Sequence, residues 1–195
     1  MSRTAGTKKA ETHERIVRAA AKAIRRDGYA NTSVADVMHD AGLTHGGFYA
    51  HFPSREAMLA EALDFAASEA VESLIGGSTL RAAKQHIDPL EALVESYLSD
   101  RHVAATESGC TLAALGSETR RQSPEIKRVA TKRIEELAAA IGHQSAGNPT
   151  AAEPLATLSA LVGALVIARV VDDPALGRKA RAAAARLVLG KSSTS

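Results

Sequence analysis

The chain carries a single cysteine, no tryptophan, three phenylalanines and three tyrosines. One cysteine excludes an internal disulfide framework and fits a reducing compartment. No apolar run reaches the ~20 residues a bilayer crossing needs. The longest, Leu155 to Val171, is interrupted by Thr157, Ser159 and Arg169 and reads as a buried helix. Met1 to Ala10 is polar and basic with no apolar stretch behind it, so no secretory signal is expected. Sustained strand alternation is missing, as is any internal repeat. There is no phosphate-cradling Gly-Lys loop, no Gly-x-Ser-x-Gly elbow and no His-Glu-x-x-His pair, so an enzyme is not expected. His86, His102 and His143 lack metal-ligand spacing, and neither a metal nor a cofactor is expected.

What is present is unevenly spread. Of 195 residues, 45% are hydrophobic and 24% charged, and the net charge is only +2. Met1 to Arg55 nevertheless holds nine Lys/Arg against five Asp/Glu, while the remainder is slightly acidic. A basic head suits a polyanionic partner, although ordinary surface variation gives the same count. Tyr29, Phe48, Tyr49, Phe52 and Phe65 all fall in the first third, leaving Tyr97 alone in the rest. A small head of short helices needs such bulky anchors, whereas a body rich in Ala and Leu packs without them.

Every strong segment reads as helix. Residues 1–9 are polar and aperiodic and predict a flexible basic arm. A first helix spans about Ala10 to Asp27, with Ile16, Ala20, Ala23 and Ile24 on one face and Gly28 as its stop. Ser33 and Asp36 open a second helix, which Gly42 ends. Thr44 is expected to cap a very short third helix through about His51, and Ser54 a fourth that runs to Gly76-Gly77. Asp88-Pro89 starts a helix to about Val103. The Cys110–Gly116 segment is ambiguous. Ser123-Pro124 starts a helix to Ile141, followed by a loop over His143 to Pro149. The last two helices cover about Ala152 to Val171 and Asp173 to Leu189. The resulting fold class is all-α with about nine helices. Residues 1–9 form the arm, 10–55 a helix-turn-helix head, 56–190 a helical body and 191–195 a disordered tail.

Thr32 to Arg55 is the most informative stretch. Two short helices joined by Gly42-Leu43, the second opening at Thr44, have the size and turn chemistry of a helix-turn-helix. The runs Thr32-Ser33-Val34, Ala41-Gly42-Leu43-Thr44, Gly47-Phe48-Tyr49-Ala50-His51-Phe52 and Ser54-Arg55-Glu56 together resemble the DNA-binding head of the TetR family over about residues 10–65. That resemblance implies a cytoplasmic, nucleoid-associated bacterial regulator that binds a (pseudo)palindromic operator as a homodimer. It implies a repressor released by a small-molecule or electrophile effector, with an activator of the same fold as the alternative. It places Thr44, His45, Gly46 and Gly47 at the groove-facing start of the recognition helix and gives phosphate contacts to Thr32, Ser33, Tyr49, His51 and Arg55. Phe48 and Phe52 would pack the head. Two readings of His51 stay open: a phosphate ligand, or a hydrogen-bonding bridge between the first and fourth helices. Gly46-Gly47 leaves His45 as the one long polar side chain at the tip. Either readout leans on backbone approach and DNA shape, or the glycines relieve crowding. Arg3, Lys8 and Lys9 could add contacts from the arm.

In the body, Leu158, Leu161, Val162 and Leu165 with Ala180, Ala184 and Leu187 are the candidate dimer interface, and the first of these helices could equally be the body's core. The resemblance also implies an effector pocket, assigned to Leu63 through Ala67, Tyr97, His102, Cys110, Leu112 and Leu115. With one body aromatic, an aliphatic or mildly polar ligand fits better than a flat cation. The run around Cys110 resembles a subgroup in which some members sense electrophiles, and a small inert buried thiol is the competing reading. Arg120, Arg121, Lys127, Arg128, Lys132 and Arg133 read as a solvated face interleaved with acids rather than a second nucleic-acid surface.

Overall fold

Seven helices begin where a side chain accepts the orphan N–H groups of the first turn. Ser33 accepts from Asp36, Ser54 from Ala57, Ser99 from His102 and Ser123 from Ile126. Asp88, Glu153 and Asp173 do the same with carboxylates, each with a proline at the first helical position. In the computed structural model, which describes residues 2–145 and 153–191, these caps separate nine α-helices and one 3-10 helix. They are α1 (Ser2–Asn31), α2 (Val34–Asp40), the 3-10 helix η1 (His45–Ala50), α3 (Arg55–Gln85), α4 (Pro89–Tyr97), α5 (Asp100–Ala104), α6 (Thr111–Thr119), α7 (Pro124–Gln144), α8 (Pro154–Val170) and α9 (Pro174–Val188). The described residues contain no strand.

Four expectations are corrected. The arm expected over residues 1–9 is helical from Ser2, because nothing in that segment breaks the helix it joins; the Thr12 hydroxyl already bonds Lys8 O at 2.8 Å. Gly76-Gly77 does not end α3. Two mid-helix glycines cost about 1 kcal/mol each, but Ala66 and Ala67 before them and Ser78 and Ala82 after them are buried, and packing prevails. The helix stops ten residues later at His86, which adopts left-handed backbone at φ 55. The segment after Pro89 is two helices, since the Ser99 hydroxyl caps a fresh start. His143 and Gln144 extend α7, whereas the rest of the expected loop, residues 146–152, lies outside the described residues. Of the expected tail, Lys191 pairs with Glu91 at 2.5 Å, and 192–195 lie outside the description.

Two buried clusters organise the chain. One joins α1, α2, η1 and the first half of α3 around Ile16, Ile24, Tyr29, Phe48, Phe52 and Leu59, and it also takes in Leu115 of α6 and Ile126 of α7. The other unites α4, α6, α7, α8 and α9 around Leu93, Tyr97, Ile141, Leu161 and Leu165. Helix α3, about 46 Å long at 1.5 Å per residue, belongs to both. The head is therefore continuous with the body along α3 and across α6.

Candidate functional site

Helix α2 ends in a glycine-closed turn. Gly42 sits at φ 69 while its N–H bonds His39 O and the Leu43 N–H bonds Met38 O, which satisfies two terminal carbonyls. The chain then enters η1. The Thr44 side chain makes no capping hydrogen bond, and the turn is closed instead by Gly47 N to Thr44 O at 3.1 Å. The expected side-chain cap of Thr44 is thus corrected, and the residue is exposed. Two glycines in six residues favour the short 3-10 form over a regular α turn.

One side of η1 is anchored and the other is bare. Phe48 and Phe52 are buried, stacked on each other with centroids 5.6 Å apart. Tyr49 is 73% exposed, and His45 and Gly46 are exposed beside it. Neither Gly46 nor Gly47 has a positive φ. A Cβ at Gly46 would meet nothing within 4 Å, and one at Gly47 only Met38 Cε at 3.7 Å. Crowding inside the chain therefore does not account for the two glycines.

Three of the expected phosphate contacts, Thr32, Ser33 and Arg55, also make hydrogen bonds within the chain. Thr32 is buried and its hydroxyl donates to Gly28 O at 2.8 Å. The Ser33 hydroxyl donates to Asp36 Oδ2 at 2.6 Å while capping α2. Arg55 donates through Nε to Thr32 O at 3.1 Å and through Nη2 to Tyr29 O, which straps the start of α3 to the end of α1. His51 is half-buried with no hydrogen-bond partner at Nδ1, and burial, then His13 and Lys9, hold its imidazole below the ordinary 6.5. The bridge between the first and fourth predicted helices is made by His13, whose Nε2 lies 2.7 Å from Glu61 Oε2 and whose ring stacks on Phe52. Sequence reasoning missed His13; its helical spacing from the buried Ile16 and Ala20 was the available signal.

Beneath the head lies a cavity of about 940 Å³ between α3, α4, α5, α6 and α7. Leu63, Ala67, Tyr97, His102, Cys110 and Leu112 line it. Leu115 does not. On α6, Leu112, Gly116 and Thr119 share the cavity face, so Leu115 turns into the α1–α3 core at 1% exposed. At the α4–α5 end His102 is fixed by its partners: Nδ1 donates to Tyr97 O at 2.6 Å and Nε2 accepts from Cys110 N at 3.1 Å. Burial holds its imidazole below 6.5. Arg169, the one charge inside the apolar α8 run, donates to the carbonyls of His102, Val103 and Ala105 and so closes α5. Cys110 is buried in the same cluster as Tyr97, whose phenol is pushed well above the usual range by burial and by that thiol.

Helix α6 touches the cavity on one face and the head on another. Glu118 Oε2 accepts the Tyr29 N–H at 3.0 Å, and Thr119 Oγ1 lies 3.3 Å from the Tyr29 hydroxyl. Gly28, at φ 79, leaves room for that carboxylate; a Cβ there would come within 2.5 Å of Glu118 Oε1. Just before α6, Glu107 pairs with Lys22 at 2.9 Å. Glu118 and Glu107 were not singled out from sequence, because acids at helical spacing look like a solvated face.

The expected dimer residues divide. Leu158, Leu161 and Leu165 are buried inside the chain. Val162, Ala180 and Ala184 are half-buried, and Leu187 is 71% exposed. The outward face of α8 is the opposite stripe: Leu155, Ser159, Gly163, Ile167 and Val170. Leu176 and Leu187 of α9 are exposed as well.

Comparison with known proteins fits this geometry. Residues 16–62 match the family model described as bacterial regulatory proteins, tetR family. The chain is 33% identical over 171 residues to the uncharacterized HTH-type transcriptional regulator Rv0196 of Mycobacterium tuberculosis, covering 82% of this chain and 85% of that protein. A TetR-family transcriptional regulator from Cytophaga hutchinsonii superposes with TM-score 0.73 at 20% identity over 96% of this chain and 98% of that one. RolR, solved with its ligand resorcinol, superposes with TM-score 0.54 at 21% identity over 94% and 90% of the two chains. No helix among the described residues is long and apolar enough to cross a membrane. The chain belongs to the TetR family of helix-turn-helix transcriptional regulators.

Proposed function

We propose that this regulator is a repressor that grips a (pseudo)palindromic operator as a homodimer and lets go when a small molecule enters the cavity below the head. The observation that carries the DNA reading is the bare side of η1. It offers uncrowded glycine backbone, the Tyr49 hydroxyl and the His45 imidazole outward, while Phe48 and Phe52 hold it rigidly from within. Gly46 and Gly47 let the backbone approach the duplex closely, so selectivity leans on shape and phosphate position more than on base-edge hydrogen bonds. Lys8 and Lys9, exposed on the N-terminal turns of α1, extend the positive surface. In a second copy, the exposed stripe of α8 with Leu176 and Leu187 of α9 forms the twofold interface that sets half-site spacing.

For the effector, support comes from the cavity itself and from RolR, whose likeness includes a bound small molecule. For the electrophile alternative, Cys110 borders the same cavity although it is buried from bulk solvent. An operator selected from a random duplex library, then measured by fluorescence anisotropy, tests the DNA reading. Tyr49→Phe should weaken binding about fivefold to twentyfold, one lost hydrogen bond per half-site, with unchanged helicity. Unchanged affinity for both Tyr49→Phe and Gly46→Ala would refute the assignment of this face.

A further inference from the structure

The charged lining of the cavity has one sign. Arg81, Arg101, Arg120, Lys127 and Arg133 border it, and no Asp or Glu does. Two of these are neutralised from outside. Arg81 pairs with Glu95, and Arg133 is held bidentately by Asp64 at 2.7 and 2.8 Å and also by Glu136. Arg101, Arg120 and Lys127 make no ion pair among the described residues, and all three are exposed. Arg120 closes α6 and Lys127 lies in the opening turns of α7, so the two flank the α6–α7 turn. The remaining wall is largely aliphatic, with Leu63, Val71, Leu74, Leu112, Ile134 and Leu137.

Low-dielectric walls beside unpaired cations focus a positive potential into the opening. An occupant with no charge gains the aliphatic wall but leaves that potential unanswered, and a cation is repelled by it. Resting on the effector reading above, we infer that the cavity selects an amphiphilic carboxylate, its anionic head held by Arg120 and Lys127 and its apolar body laid along α3, α6 and α7. The volume is in the range that encloses ligands of drug-like size. The anion would sit one residue from Thr119 and two from Glu118, which hold Tyr29 of the head.

Calorimetric titration of the full-length chain with decanoate, decanol and decyltrimethylammonium separates charge from chain length. Decanoate is expected to bind about fivefold or more tightly than decanol, as one or two partly exposed ion pairs supply, and the ammonium should bind most weakly. Replacing both cations, Arg120→Ala with Lys127→Ala, should bring decanoate down to the affinity of decanol and leave decanol unchanged. Thermal unfolding checks that the double variant is folded. The inference falls if decanol or the ammonium matches decanoate, if none of the three binds, or if the double variant keeps the preference. Anisotropy with the selected operator separates the two claims. Decanoate that binds without releasing DNA upholds carboxylate selection and overturns the release reading; an ammonium that binds best and releases DNA does the reverse.

Discussion

Removing the Glu118 carboxylate probes the seam between cavity and head. Its Oε2 is the acceptor for the Tyr29 N–H at 3.0 Å, a part-buried bond. A hydrogen bond to a charged acceptor contributes about 1.5–3 kcal/mol net, and leaving the amide unpaired has a cost of similar size. Glu118→Ala should therefore lose about 2 kcal/mol, which for a chain of this length lowers Tm by about 4–8 °C. Glu118→Gln keeps an acceptor oxygen without its charge and should lose about half as much. Gly28 sharpens the test. A Cβ there meets Glu118 Oε1 at 2.5 Å, so Gly28→Ala carries both that clash and the strain of φ 79. Against Glu118→Ala the clash is gone and only the backbone strain of φ 79, ψ 171 is left, about 1–3 kcal/mol. The two changes should then be less than additive in thermal unfolding followed at 222 nm. In the operator assay, Glu118→Ala should also shrink the affinity change that an effector produces. If Glu118→Ala melts within about 1 °C of the parent and the two substitutions add, the carboxylate is not a clamp and the coupling argument is wrong.

The α8 faces make opposite predictions. Val170→Glu, at a residue 73% exposed, should yield a folded monomer by sedimentation at micromolar concentration, and a persistent dimer would overturn the interface assignment. Leu161→Ala, at a fully buried position, should instead lose about 2–5 kcal/mol of stability with the folded fraction still dimeric. On pH, burial holds the His102 imidazole below 6.5 in the folded chain. Below that value the unfolded chain binds the proton more readily, so stability present above pH 6.5 drains as the pH falls. The urea midpoint should decline from pH 7.5 to 5.5, and His102→Gln should flatten part of the decline; an unaltered slope would remove His102 as its source.

Several helix starts were legible in the sequence because they depend on a local acceptor three residues or fewer from the N–H it satisfies, as at Ser33, Ser54 and Asp88, whereas the start at Ser99 was missed and Thr44 makes no side-chain cap. Helix ends were harder. Gly76-Gly77 carries a local stop signal that the burial of Ser78 and Ala82 on the far side overrides, and no local rule sees that packing. The family resemblance pointed to cavity residues on α3 and α4, but it left the facing of α6 open. A helix of nine residues that packs on two sides leaves Leu112 and Leu115 equivalent until the neighbours are known. The same blindness affected α8, where every residue of a run apolar all round suits either a core or an interface. Polar residues were ambiguous for a related reason. Arg55 and Thr32 have the chemistry of phosphate ligands, and backbone carbonyls within the head draw on the same chemistry.

These assignments bear on how a signal could cross the molecule. A ligand shifts an equilibrium only as far as it distinguishes two states. Helix α6 has the contacts to define such states, because Leu112, Gly116 and Thr119 border the cavity while Leu115 and Glu118 are committed to α1 and α3. An occupant that draws Arg120 toward the cavity strains the Glu118–Tyr29 bond, and operator binding that fixes Tyr29 in place opposes the same movement. By linkage the two binding events must then weaken each other equally. Saturating operator should reduce effector affinity by the factor by which saturating effector reduces operator affinity, whichever ligand proves to fill the cavity.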